Sequence, residues 1–533
     1  MGRHAAGAGF LDGLLAAPDL GRIVCCADNA DLAAPFATAA AAAGRPDLAR
    51  WTPVFRPDLI AAQTPTLVIP DPNLAMHAWR RRRFRQRGYS IVGVTHTTAM
   101  QPVMDMIAGL LDAPVQGWDA LVCTSAAVRA MVERLLDERA AYLEDRFGAT
   151  RIPRPRLPVI PLGVRARDHV RDGALRSDLR GRLGIAPDDV AVLYVGRLDA
   201  LGKTNPLPML LALGAATRAP GLPRAHLILA GWFARPAEEA QVRAAAASVC
   251  PHVVLHLLDG RNAAVKAGIR SAADVFVLLV DNVQETFGLA PVEAMAAGLP
   301  VVVTDWNGFK DTVRDGVDGF RIPTALPQPP LGLDLALGYE TGQTSYDAYV
   351  GGASQFTAID GPAAADACRR LLADPALRAR MGAAGAERAA ALFDWAVVLR
   401  RGRALWDELD AVRLSDEAEQ APRRADAEPV PARPDPFNVF AAWPTTALHA
   451  GTPVSFVGPD DPTAWRARLA LPLAAVLPDS LPSIEEALAM LAALSRAGTL
   501  AAGDAAAAAG TGRTARLIRG LAWLAKLGLV RVG

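Results

Sequence analysis

The sequence predicts an α/β protein of two doubly wound, parallel-sheet halves followed by a small, mainly helical module. Three observations carry this. At 533 residues the chain is too long for a single core. Two series of short apolar runs, before and after residue 165, alternate with helical patterns, the rhythm of parallel strands joined by crossover helices. From residue 437 onward the pattern changes to amphipathic helices around an Ala/Gly-rich stretch.

Taken in order, GRIVCCAD (21–28), TPTLVIPD (64–71), YSIVGVTH (89–96) and DALVCTS (119–125) read as buried strands of an N-terminal half, residues 1–165. AVRAMVERLLDERAAYLEDRF (127–147) is one of its helices, and VIPLGV (159–164) closes it. The charged stretch 165–185 reads as linker-like. A second half, 166–395, has strands at 190–198, 225–232, 252–259, 274–280, 299–305 and 319–323. Ligands of such Rossmann-like sheets bind at the carboxyl ends of the strands. Residues 325–356, rich in Pro, Gly and Tyr, read as an inserted excursion, and 396–414 as a helix returning to the first half. Residues 415–436, Pro-rich and charged, are a predicted linker, and 437–533 the helical module, for which a winged helix is one candidate shape.

Composition narrows the function classes. A formal net charge of +1 gives no global basic field and argues against nucleic acid as a partner. Cys25, Cys26, Cys123, Cys250 and Cys368 form no C-x-x-C pair, which fits core thiols in a reducing cytosol and no metal site. No uncharged apolar run reaches the ~18 residues of a membrane span, and Asp12 interrupts the N-terminal apolar stretch that a signal peptide needs. The expected location is cytoplasmic. The Arg-rich run 79–87 leaves a peripheral contact with the inner face of a membrane as a reading beside the plainer one of a solvated helix face.

The chemistry concentrates in ETFGLAPVEAMAAGLPVVVTD (285–305). Glu285 precedes a Thr286-Phe287-Gly288 turn, Glu293 sits on a helix expected to start near Pro291, and a buried strand follows. Backbone N–H groups at Phe287, Gly288 and Leu289 would converge at that helix start, where orphan donors and the dipole favour phosphate. VGRLDALGKTNP (195–206) follows a strand, is expected to open a helix, and offers Gly196, Arg197 and Lys203. GVTHTTA (93–99) puts His96 at a strand end of the first half, and DWNGFKDTVRDGVDGF (305–320) carries Asn307 and Gly308 in a Gly-rich turn.

Together these blocks resemble the family 4 retaining glycosyltransferases (glycosyl transferases group 1) over roughly residues 89–410. The two glutamates, the Phe-Gly pair, the Glu-Ala-x-Ala-x-Gly-x-Pro tail and the strand after it match the donor-site signature of that family. The resemblance implies a GT-B fold, with two facing Rossmann-like domains, and a nucleotide-sugar donor carried by UDP, GDP or ADP. No separate cofactor is implied. Arg197 and Lys203 would bind the diphosphate and stabilise the leaving group without a metal. Glu285 would meet the sugar hydroxyls and the anomeric carbon, and Glu293 the ribose. His96 would position the sugar across the cleft, with Asn307 and Gly308 behind it. The acceptor would be a glycan or a lipid-linked glycan, as in bacterial surface polysaccharide synthesis. Two features depart from the family pattern: Thr204 stands where Gly usually follows the lysine, and the opening strand with its Gly-rich acceptor loop is not found ahead of GAGFLDGLL (7–15). A phosphorylase or epimerase on the same fold, and a non-catalytic scaffold with a working C-terminal binding module, are the competing readings. The intact Glu285, Glu293, Arg197 and Lys203 argue against the scaffold.

Overall fold

The computed structural model describes residues 2–17, 22–415, 427–510 and 512–533. Gly21 of the first expected strand and residues 416–426 of the expected linker lie outside them. The chain divides into two compact units, 1–429 and 430–533.

The first unit opens with α1 (Gly2–Ala16), then β1 (Ile23–Ala27), α2 (Ala30–Ala42), β2 (Ala49–Pro53), α3 (Pro57–Gln63), β3 (Thr66–Val68), α4 (Leu74–Phe84), β4 (Ser90–Val94), α5 (Gln101–Ala108), β5 (Ala120–Val122) and α6 (Ala126–Phe147). All the strand pairings are parallel, but they form two ladders, β1-β2 and β3-β4-β5, rather than the one sheet expected. A strand inside a doubly wound sheet must be covered on both faces. β4 is almost wholly buried, whereas β1 is partly exposed at every position. VIPLGV forms no strand: Val159 and Val164 make single bridges to Cys123 and Asp394. The Arg-rich run is not a wholly solvated face either. Arg81 is fully buried, with its guanidinium forked onto Asp119 at 2.6 and 2.7 Å and onto the Tyr89 carbonyl at 2.7 Å.

The second half starts with α7 (Gly173–Leu183), inside the stretch read as a linker. Asp172 caps its N-terminus by accepting from the Ala174 and Leu175 N–H groups, and Gly184 ends it in the left-handed region at φ 63°. Leu179 and Leu183 pack on the core, while Arg176 and Arg180 grip Asp274 at 2.6 and 2.9 Å. Two of the charges that suggested a linker thus anchor the helix to Asp274, while others, such as Arg182 paired with Asp178, stay at the surface. Then follow β6 (Val190–Leu198), α8 (Leu207–Ala216), β7 (Ala225–Phe233), α9 (Pro236–Val249), β8 (Val254–Asp259), α10 (Ala263–Ala272), β9 (Val275–Leu278), α11 (Leu289–Ala296), β10 (Val301–Thr304), α12 (Phe309–Thr312) and β11 (Gly319–Ile322). They build one parallel six-stranded sheet in the order β11-β10-β9-β6-β7-β8. The order reverses between β6 and β9, which makes their carboxyl ends the topological switch point.

The excursion leaves through β12 (Thr324–Ala325), forms α13 (Leu333–Glu340) and α14 (Tyr346–Gln355), and returns through β13 (Ala358–Ile359), antiparallel to β12. After α15 (Gly361–Ala373) and α16 (Pro375–Arg388), α17 (Trp395–Leu414) runs back along the first half, where Leu405 and Leu409 pack on Val92, Ala120 and Val122. The outward crossing at Val164 and the return at Asp394 lie side by side. The Val164 N–H donates to Phe393 O at 2.7 Å, and the Trp395 N–H to Val164 O at 3.1 Å. Two parallel-sheet α/β halves are thus joined through a double crossing, the architecture a GT-B fold requires.

The second unit is mainly helical, with helices at Pro462–Leu469, Ile484–Ala497, Ala502–Ala507 and Thr514–Lys526. A small antiparallel sheet of Thr499–Ala501, Pro453–Phe456 and Val530–Val532 completes it. Its central strand, Pro453–Phe456, comes from ahead of the helices. Trp465 is in the core, whereas Trp443 is exposed beside Phe440.

Candidate functional site

The switch point gathers three of the charged residues that the sequence singled out, Arg197, Lys203 and Glu285. Gly196 and Arg197 are the last but two and last but one residues of β6, paired in register with Gly231 and Trp232. The chain then turns rather than entering a helix, and Asp199 builds the turn. Its Oδ1 accepts from the Leu201 and Gly202 N–H groups at 3.1 Å, and its carbonyl from those of Lys203 and Thr204 at 2.9 and 3.1 Å. The Thr204 hydroxyl donates to Leu279 O at 2.8 Å just past β9, so the residue that replaces glycine pins the turn to the switch point. Arg197 is held by the turn it faces: Nη2 donates to Gly202 O at 2.6 Å, and Nη1 lies 3.3 Å from Asp199 Oδ2.

Across the switch point, Glu285 Oε2 takes the Lys203 ammonium, and Glu285 Oε1 accepts from the Thr286 and Phe287 N–H groups at 3.2 and 3.4 Å. Part of the N–H cradle expected for phosphate is thus engaged by the carboxylate. Burial pushes the Glu285 carboxyl up, but Lys203 and these two N–H groups outweigh it and hold the group below the usual range. The turn is compressed from behind. Gly288 has φ 92°, and a Cβ on Gly308 would lie 2.5 Å from Phe287 Cα. Asn307, at φ 40°, donates from Nδ2 to the Glu285 carbonyl. Phe287 is buried and packs with Val292, Val164 and Phe393, with the partly buried Leu289 against them, so Phe287 offers a ligand only its backbone.

Two further expected residues, Glu293 and His96, have partners outside the Lys203–Glu285 pair. α11 begins at Leu289, two residues ahead of Pro291, and its Glu293 is ion-paired with Arg270 of α10, apart from the Lys203–Glu285 pair. His169 lies in the field of that second pair, its ring pushed down by burial first and then by Arg270. His96 follows β4 and donates from Nε2 to Pro70 O at 2.8 Å. The two halves touch here: Ser125 Oγ is 3.1 Å from Asn307 Oδ1, and the Ala126 N–H donates to Asp311 Oδ2 at 2.6 Å.

Sequence reasoning missed Asp199, Gln284 and Tyr346. The first was findable, since an Asp three residues ahead of a Gly after a strand is a turn signature. Gln284 Nε2 donates to the same Gly202 carbonyl that holds Arg197, and Gln284 Oε1 accepts from the Tyr346 hydroxyl. Nothing local marks either residue. Among the described residues, no group of three or more His, Cys, Asp or Glu side chains is placed to hold a metal ion, and no helix is long and apolar enough to cross a membrane.

Residues 176–328 match the family described as Glycosyl transferases group 1. The chain is similar to the D-inositol 3-phosphate glycosyltransferase of Geodermatophilus obscurus, 36% identical over 199 residues, which are 36% of this chain and 41% of that protein. It is also similar to the phosphatidyl-myo-inositol mannosyltransferase of Mycobacterium leprae, 33% identical over 162 residues, 30% of this chain and 33% of that one. These matches span about two fifths or less of the relatives' own length. Among solved structures, sucrose-phosphate synthase from Thermosynechococcus elongatus aligns with a TM-score of 0.42 at 22% identity, covering 67% of this chain and 77% of that one.

Proposed function

We propose, for a chain whose residues 176–328 belong to the glycosyl transferases group 1, that it moves a sugar from a nucleoside-diphosphate donor to an acceptor hydroxyl, with retention and without a metal ion. The observation that carries this reading is the meeting of Arg197, Lys203 and Glu285 at the β6/β9 switch point. Breaking the bond between sugar and diphosphate builds negative charge on the leaving oxygen. Two cations fixed by backbone and carboxylate partners stabilise that charge with little reorganisation. A diphosphate on Lys203 brings the anomeric carbon towards Glu285, whose ionised carboxylate opposes the positive charge growing there. The departing phosphate oxygen takes the acceptor proton on the face it leaves. Glu293 holds the ribose after Arg270 releases it, and His96 positions the sugar from the other half. The acceptor is a glycan or lipid-linked hydroxyl in surface polysaccharide synthesis at the cytoplasmic face of a membrane. The relatives named for inositol phosphate and phosphatidylinositol add inositol hydroxyls to the acceptor panel.

A thermal-shift panel of UDP, GDP, ADP and their sugars, without added metal, tests the donor site. A ligand present at about 100 times its Kd stabilises the fold by about 2.7 kcal/mol. One nucleotide is expected to raise the melting temperature, and Arg197→Ala or Lys203→Ala to abolish the rise. A rise that survives both variants sinks the reading, as does a panel with no rise.

A further inference from the structure

We propose that Tyr346, in the excursion, is a positioning residue of the transfer site: its hydroxyl ties the turn that carries Glu285 to the loop that carries His96. The inference rests on the functional reading above. The excursion arises from the second half but makes polar contacts with both. The Tyr339 hydroxyl accepts from the Gln101 N–H at 3.1 Å, at the start of α5 in the first half. The Tyr346 hydroxyl lies 3.1 Å from Thr97 Oγ1 and donates to Gln284 Oε1 at 3.4 Å. A phenol has one proton to give, so Thr97 donates to it. Thr97 follows His96 and Gln284 precedes Glu285. Gln284 continues the line to Gly202 O, which also receives Arg197 Nη2 at 2.6 Å. One chain of polar contacts therefore runs from the first half through Tyr346 to the cation at the end of β6.

The excursion is seated for this role. α14 packs through Gly351 against Leu201, in the 199–204 turn that holds Arg197, and Tyr339 stacks on Tyr349 with ring centroids 4.6 Å apart, which stiffens the α13–α14 pair. Burial raises the half-buried Tyr346 phenol, so the hydroxyl keeps the proton it donates. A neutral hydroxyl adds no charge to the diphosphate subsite. It sets the separation of two walls that belong to different halves of the unit, and small errors in that separation are costly to the chemical step.

The test uses the full chain as Tyr346→Phe, Thr97→Val and the double variant. Each single change is expected to lower kcat about tenfold with donor KM within about twofold. The double variant is expected to match the singles, since all three remove the same contact. In Tyr346→Phe, amide exchange is expected to speed up at 199–204 and 283–288. Unchanged kcat, or losses that multiply in the double variant, overturn the proposal. If the unmodified protein neither binds a nucleotide nor transfers sugar, the functional reading falls alone. The exchange measurement then decides the tie, and unchanged rates in Tyr346→Phe overturn it.

Discussion

The second half sets strands β6 and β7, nine residues each, into one six-stranded sheet, whereas the described strands of the first half run to five residues at most and fall into two ladders. Their contributions to the cleft differ in the same direction. The second half presents Arg197, Lys203 and Glu285, each held by an ionic partner and by neighbouring loops. The first half presents His96 on a backbone carbonyl, and Thr97. Charge that develops on a leaving group has to be met by charges already in place. A neutral acceptor hydroxyl asks only for correct placement. On the proposed reading, the six-stranded sheet would carry the electrostatics and the first half would supply position.

The widest test of that contrast is a pair of variants. Glu285→Gln is expected to lower the transfer rate about 10^3-fold, and His96→Ala about tenfold, read as kcat/KM with one donor. Comparable losses would erase the distinction. In stability the ranking reverses. Arg81→Met strands Asp119 in the first half's core and is expected to cost about 3–5 kcal/mol, while Arg176→Ala leaves Arg180 on Asp274 and costs about 1 kcal/mol. Denaturant midpoints check both, and Arg81→Met/Asp119→Asn should recover part of the loss, because the amide removes the stranded charge and keeps an acceptor for the Ile91 or Gln116 N–H. The smallest effect concerns Asp281, a buried carboxyl beyond β9 with Oδ1 unpartnered, which burial raises to about 6. Its folded value lies above the ordinary one of 3.8. The unfolded chain therefore loses the proton first, and stability falls as pH rises between those values. Asp281→Asn is expected to melt a few degrees higher at pH 7.5 and no higher at pH 3.5. A gain that does not depend on pH would mean that packing, not charge, is responsible.

Much of this was legible in the sequence because burial on two faces leaves continuous apolar runs. The run at 190–198 is β6 residue for residue. β2, with Arg50 and Trp51 exposed and Pro53 at its end, has no such run and was not foreseen. The three arginines of α7, Arg176, Arg180 and Arg182, hid its caps, Asp172 and Gly184. At the site, the residues close to one another in the donor motifs were readable because strand ends and turns fix them locally. The Glu293–Arg270 pair depends on how α10 meets α11. The tie from Thr97 to Tyr346 spans 249 positions and enters a segment that the family pattern does not cover.

The double crossing has a mechanical consequence. Val164 and the Phe393–Trp395 segment are hydrogen-bonded to each other where the chain leaves the first half and where it comes back. A movement of the halves that keeps those bonds has to bend the two crossings together, since neither can shift alone without breaking them. The excursion touches both halves through Tyr339 and Tyr346, and on the proposed reading it resists that bend.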